Sequence, residues 1–264
     1  MKENGLAATL PYLEHRVKES LLVTQEFFEL CWVSVAALFK KPHYMGETVF
    51  QMDSIGFGSI PIILLTGLFT GMVLSLQSAN QLQIFGATMY VGKLVALSMV
   101  KELGPVLSSL MVAGRIGSGI AAEIGSMVDT EQLDAMKVEG SDPIKKLVVP
   151  RMVACMLMLP LLTIISDAVG VTGGFLIAFS QFKIDPTFYW TSVFDTLKYM
   201  DFVVGLVKPV FFGFIIAMVG CYMGLTTHGG TVGVGRSTTE SVVFSSILIL
   251  VSDFFISKLF LNVG

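Results

Sequence analysis

Five long segments that are almost free of charge constrain this chain more than any other feature. They lie at about 54–79, 94–122, 147–180, 202–227 and 241–260. Each has the roughly 20 mostly apolar residues that a helix needs to cross a bilayer. Hydrophobic residues make up 53% of the chain and charged residues 14%, which is too apolar for a water-soluble protein of 264 residues. We therefore predict an all-α integral membrane protein with five transmembrane helices. The third segment is long enough to tilt strongly or to break near Gly170, Gly173 and Gly174, and splitting it would make six.

The connections between these segments differ in their content of Lys and Arg. With a cytoplasmic amino terminus, the cytoplasmic side carries ten basic residues: Lys2, Arg16, Lys18, Lys40, Lys41, Lys137, Lys145, Lys146, Arg151 and Arg236. The opposite side carries three, Lys93, Lys183 and Lys198. Because basic residues are enriched in cytoplasmic loops, this asymmetry predicts a cytoplasmic amino terminus and an external carboxyl terminus.

Residues 13–39 show helical spacing of apolar positions, including Leu13, Leu21, Phe28 and Val35, with most charges between them. This pattern predicts an amphipathic helix that lies in the membrane interface over about residues 10–42. A soluble helix packed on a partner is the alternative. The whole chain, 1–264, is then one membrane domain, with its transmembrane bundle at about 54–260.

The stretch AAEIGSMVDTEQLDAMKVEGSDP, which joins the second and third spans, holds six of the chain's twenty acidic residues. Asp129 and Gln132 have the spacing of a capping box, and Gly140 is a helix stop, so we predict a short helix over 130–139. Asp142 and Pro143 predict the start of the next helix. The short helix would expose Glu131, Gln132 and Asp134 and carry a small apolar face of Leu133 and Met136. Spacing alone leaves two interpretations: a helix that a partner binds, or a solvated turn that shields the span ends.

Residues 114–151, GRIGSGIAAEIGSMVDTEQLDAMKVEGSDPIKKLVVPR, resemble the signature of the MlaE/YrbE permease family. GLFTGMVLSLQ at 67–77, LVALSMVKELGPV at 94–106 and GRSTTESVV at 235–243 are also similar to that family, so the resemblance extends from about residue 30 onward. Members are permease subunits of ABC transporters that move phospholipids or other hydrophobic molecules. The resemblance implies that the short cytoplasmic helix is a coupling helix for a separate ATPase, with the matching residues Glu131, Gln132, Leu133, Asp134, Ala135 and Met136.

The resemblance also implies the assembly around this chain. It implies a homodimer in the bacterial inner membrane, an ABC ATPase subunit, an MCE-domain protein on the periplasmic side and, in some systems, a STAS-domain subunit. The chain has no phosphate-binding loop, because GATMYVGKL at 86–94 has the wrong spacing and Leu94 where Ser or Thr is needed. We therefore expect ATP and Mg²⁺ on the partner ATPase and no cofactor, metal or catalytic residue on this chain.

A lipid cavity at the dimer interface is a further implication of the resemblance. The positions that match are Leu74, Gln77, Leu82 and Phe85 from the end of the first span, and Glu102 and Leu103 in the second. Apolar side chains suit acyl chains, and a few polar groups suit a headgroup.

Charged residues inside the spans support a second hypothesis, since such residues often mark ion or proton pathways. In an ion-coupled secondary transporter, Glu102, Asp167 and Asp253 would be the ion sites, although we expect Lys208 and Asp253 to form a structural ion pair. A membrane enzyme acting on lipids is the third hypothesis, but no HExxH or GxSxG motif supports it. The net charge of −3 and the lack of a basic run give no footprint for nucleic acid.

Overall fold

The computed structural model describes residues 3–40 and 44–263, with the side chains of Lys18 and of residues 21–40 and 44–260. Eight helical runs occur in these ranges: α1 (Glu3–Leu38), α2 (Met45–Ile84), α3 (Thr88–Asp129), α4 (Gln132–Val138), α5 (Ile144–Ser180), α6 (Pro186–Thr196), α7 (Tyr199–Leu225) and α8 (Gly230–Val263). No β-strand is present in the described part of the chain. The all-α membrane fold predicted from the sequence is thus confirmed.

In the described part of the chain, six helices are long and apolar enough to cross a membrane, and five of them correspond to the five predicted spans. These five are α2, α3, α5, α7 and α8. Several run well past the predicted limits: α2 has 40 residues, which is about 60 Å of helix against about 30 Å of hydrocarbon. Long helices of this kind carry their ends beyond the bilayer core and can position groups outside it.

The sixth candidate is residues Leu21–Leu38 of α1, where an interfacial helix was predicted. Its apolar side chains point in two directions. Leu30 and Ala37 are buried against the bundle, whereas Phe28 and Trp32 are exposed at 66% and 76%. A hydrogen bond also joins α1 to α7, because the hydroxyl of Tyr222 donates to a carboxylate oxygen of Glu26 at 3.2 Å. The interfacial placement therefore remains a prediction, and its residues 10–17 and 41–42 have no described side chains.

Glycines hold α2 and α5 in close contact. A Cβ on Gly71 would collide with the backbone carbonyl of Gly170, and a Cβ on Gly67 would lie 2.9 Å from the carbonyl oxygen of Ser166. Helix α5 is continuous through Gly170 and Gly174. Of the two outcomes that the length of this span allowed, the break near these glycines is wrong, because they provide close helix packing instead.

Two apolar clusters form the core. The larger one is built by α2, α3, α5, α7 and α8 around buried side chains such as Ile63, Met152 and Phe212. The smaller one joins the end of α2 and the start of α3 to α5 and α6 through Val95, Met99 and Tyr189. Helix α6 was not predicted from the sequence. Its start has a plain signal, since Asp185 caps the backbone N–H groups of Thr187 and Phe188 and Pro186 follows it.

Candidate functional site

A π-helical turn in α3 carries a lysine and a glutamate, Lys101 and Glu102, on neighbouring positions. The turn spans Met99–Leu103, and Pro105 follows directly after Gly104. Because proline has no backbone N–H, Pro105 cannot donate an α-helical hydrogen bond to the carbonyl of Lys101. The ammonium of Lys208, on α7, donates to that carbonyl at 2.8 Å. The backbone irregularity thus creates an acceptor for a buried cation, which is consistent with the frequent location of π-turns at functional sites.

Lys208 is fully buried, and its ammonium lies among three oxygen atoms: it donates hydrogen bonds to two of them and forms an ion pair with the third. Besides the Lys101 carbonyl, it contacts Glu102 Oε2 at 2.7 Å and Asp253 Oδ1 at 2.9 Å. The predicted pair of Lys208 with Asp253 is confirmed. Glu102 also joins α3 to α8 directly, because Ser257 of α8 donates to Glu102 Oε1 at 3.1 Å. Helices α3, α7 and α8 are therefore linked by one polar network centred on the buried Lys208.

The two neighbouring charges of α3 point to different partners. Lys101 forms an ion pair with Asp201 at 2.7 Å, and Asp201 also accepts the backbone N–H of Lys198 at the start of α7. Glu102 keeps 48% of its side chain exposed, whereas Lys208 has none. The network therefore has a sealed end at Lys208 and an accessible end at Glu102. Sequence reasoning missed Asp201, which lies one residue outside the predicted fourth span.

The six residues assigned to the lipid cavity lie around the contact of α2 with α3. Leu74, Leu82 and Leu103 are half-buried and pack against the smaller apolar cluster. Gln77 is exposed, and Phe85 is 81% exposed at the end of α2. Their role in binding lipid remains a prediction.

The predicted short helix is present as α4, Gln132–Val138. Its end is as predicted: Gly140 has a φ of +79°, and its N–H and that of Ser141 donate to the carbonyls of Lys137 and Met136. Its start is different. The capping box of Asp129 and Gln132 is wrong, because Asp129 still belongs to α3 and Glu131 occupies the N-cap position with a left-handed φ of 58°.

One face of α4 is fixed to the bundle and the other is open. Leu133 is 7% exposed and Met136 is half-buried, while Glu131, Gln132, Asp134 and Ala135 are all exposed. Val138, which sequence reasoning did not select, is 89% exposed. The open face thus combines acidic, amide and apolar groups on a rigid support.

An ion pair clamps the two long helices that flank α4. Arg151 of α5, with 3% of its side chain exposed, contacts Glu123 of α3 at 2.7 Å. Arg151 also donates to the carbonyl of Leu147 at 2.9 Å. The start of α5 is capped as predicted, since Asp142 accepts the N–H of Ile144 at 3.0 Å. A force applied to α4 would therefore be transmitted to α3 and α5 together.

The fold and these sites define a multi-pass helical membrane protein with a short helix, α4, whose polar face is exposed. The family described as Permease MlaE matches residues 48–259. A probable ABC transporter permease protein of Rickettsia prowazekii is 44% identical over 88% of this chain and 90% of its own length. A probable ABC transporter permease protein of Synechocystis is 48% identical over 81% of each chain. The chain belongs to the MlaE permease family.

A plant protein is also similar to this chain. It is the chloroplastic protein TRIGALACTOSYLDIACYLGLYCEROL 1 of Arabidopsis thaliana, 37% identical over 86% of this chain and 65% of the plant protein. The resemblance inferred from the sequence motifs is thus confirmed. Membership defines an ABC transporter permease, which is a transport subunit that works with an ATPase.

Proposed function

We propose that this chain is the permease subunit of an ABC transporter that moves phospholipids or related hydrophobic molecules between the bacterial inner membrane and an MCE-domain partner. It acts as a homodimer with a cytoplasmic amino terminus, and a STAS-domain subunit is a further partner in the assembly. ATP and Mg²⁺ bind to the separate ATPase. Support for a lipid cargo comes from family membership and from the plant relative, whose name contains that of a diacylglycerol glycolipid.

The observation that carries the proposal is that α4 has one buried face and one exposed acidic face. Its buried Leu133 holds one face of α4 against the protein, and the Arg151–Glu123 pair joins the helices before and after it, while its acidic residues remain exposed for a partner. Closure of two ATPase subunits would displace α4, and α3 would carry the movement to the region of Leu74, Glu102 and Leu103. ATP binding thereby changes the population of states in which the lipid cavity is open.

The coupling role of α4 can be tested by reversing its charge. In Glu131→Lys/Asp134→Lys, the ATPase should no longer co-purify with the permease. Asp134 loses only an exposed pair with Lys137, which contributes about 0–1 kcal/mol, so α4 should remain folded. Glu47→Lys, an exposed charge reversal on α2, is the matched control. Normal co-purification by the double variant would contradict the assignment of α4 as the coupling helix.

The lipid cavity can be tested on α2 by enlarging one side chain. Leu74→Trp should lower both the phospholipid that co-purifies and the rate of lipid transfer in vesicles. Val73→Trp is the matched control, because the adjacent residue is 51% exposed and points about 100° away on the helix. Overpacking at Leu74 costs about 1–3 kcal/mol, so both variants must elute as the wild-type species. Equal transfer by the two variants would place the cavity elsewhere.

A further inference from the structure

A cavity lies away from the residues assigned to lipid transport. It has a volume of about 570 Å³, is open on one side, and is lined by α5, α6 and α7, with Val100 from α3. None of the six predicted lipid-site residues lines it. Its size falls within the range of about 300–1,000 Å³ that is typical of small-molecule sites.

The wall of this cavity is apolar and aromatic apart from one carboxyl group. Trp190 and Phe194 of α6 and Phe202 of α7 contribute rings, and Leu206 contributes an aliphatic side chain. Thr172 also lines the cavity, but its hydroxyl already donates to the carbonyl of Ala168. Such a wall suits a hydrocarbon chain. A hydrocarbon chain alone would not require a carboxyl group in the lining.

The acid is Asp167 of α5, and among the described residues no hydrogen bond or ion pair reaches its carboxyl group. One oxygen, Oδ1, is fully shielded from solvent. It lies against Gly104 of α3, where a Cβ would collide with it. A buried polar group without a partner costs about 1–3 kcal/mol. Because Oδ1 is packed against Gly104, Asp167 can meet a molecule in the cavity only through its other oxygen, Oδ2, which also has no hydrogen-bond partner among the described residues.

We propose that this cavity binds a lipid whose polar end is a hydroxyl and which carries no phosphate, with the hydroxyl hydrogen-bonded to Asp167. A hydroxyl can donate to a carboxylate and can accept from a carboxylic acid, so it satisfies either form. A phosphate would place a second negative charge beside the acid, with no basic residue in the lining to compensate. An ammonium would have to lose its hydration in an apolar wall, which costs more than burying a hydroxyl.

The chain offers an internal probe for this proposal. It has two tryptophans, of which Trp190 lines the cavity and Trp32 is 76% exposed on α1. In Trp32→Phe, fluorescence therefore reports on the cavity, whereas in Trp190→Phe it reports on the surrounding detergent or lipid. Bromine quenches tryptophan on contact, so 11-bromoundecanol added to the purified full-length chain reveals where the alcohol binds.

Quenching of Trp190 should saturate with bromoundecanol, while quenching of Trp32 should rise in proportion to its mole fraction in the detergent. Bromoundecyl phosphate should quench Trp190 no more than it quenches Trp32. Asp167→Asn should keep the saturable quenching, since the amide still accepts and donates, and Asp167→Leu should weaken the apparent affinity about tenfold. Ala168→Phe, which fills the cavity and leaves the acid in place, should abolish saturation.

Three results would overturn the proposal: linear quenching of Trp190, equal saturable quenching by the phosphate, or an unchanged affinity in Asp167→Leu. The assay needs neither the ATPase nor ATP. Its outcome is therefore independent of the transport function proposed above.

Discussion

Replacing Lys208 with methionine tests the energetic role of the polar network. The substitution keeps most of the side-chain volume and removes one cation from between Glu102 and Asp253. It also leaves the Lys101 carbonyl without the donor that Pro105 cannot supply. Removing one partner of a buried ion pair costs about 3–5 kcal/mol. Because Glu102 keeps 48% of its side chain exposed, water can screen part of the loss, and we expect about 3 kcal/mol.

This loss corresponds to a change of about a hundredfold in the unfolding equilibrium. The assay is reversible unfolding of the purified chain in detergent, followed by circular dichroism. Lys101→Met is the matched control, since Lys101 is 42% exposed and its pair with Asp201 should contribute about 1 kcal/mol or less. Adding Glu102→Gln and Asp253→Asn to Lys208→Met should restore much of the stability, because no uncompensated charge then remains. If Lys208→Met cost no more than Lys101→Met, the reasoning about the sealed end of the network would be refuted.

Two further predictions concern packing. Gly71→Ala should destabilise the bundle by about 1–3 kcal/mol, because its Cβ would collide with the carbonyl of Gly170. Gly46→Ala on the same helix is the control and should not destabilise it, because the space around Gly46 is open. The unfolding midpoints of the two variants in detergent test this difference. Tyr189→Phe should cost about 1 kcal/mol, since the buried hydroxyl donates to the Val171 carbonyl at 3.0 Å; an unchanged unfolding midpoint would show that this bond does not hold α6 on α5.

Residue types and their spacing were sufficient to predict much of the fold and the family. Uninterrupted apolar runs predict membrane helices because unpaired backbone groups are too costly in hydrocarbon, and all five predicted spans are present. The stop at Gly140 and the cap at Asp142 are equally local, since each depends on the conformation and side chain of a few adjacent residues. The family could be inferred for the same reason, because its motifs are contiguous in the chain.

The predictions that were wrong concern features that depend on residues distant in sequence. Glycines such as Gly170 and Gly174 favour a break in a helix. In this structure the helix is continuous, and the two glycines allow α2 to pack closely against α5. Asp129 and Gln132 have the spacing of a capping box, yet α3 extends through Asp129.

Sequence by itself determined that this chain is a helical membrane permease and where the short helix α4 lies. Tertiary structure alone decided which charges meet, because Lys208 is more than one hundred residues from Glu102 and contacts it only after α3 and α7 have packed. It also decided that Asp167 borders a cavity and has no hydrogen-bond or ion-pair partner among the described residues. The physical reason is that hydrophobicity and helix capping are properties of short segments, whereas the pairing and burial of a charge depend on the helices that surround it.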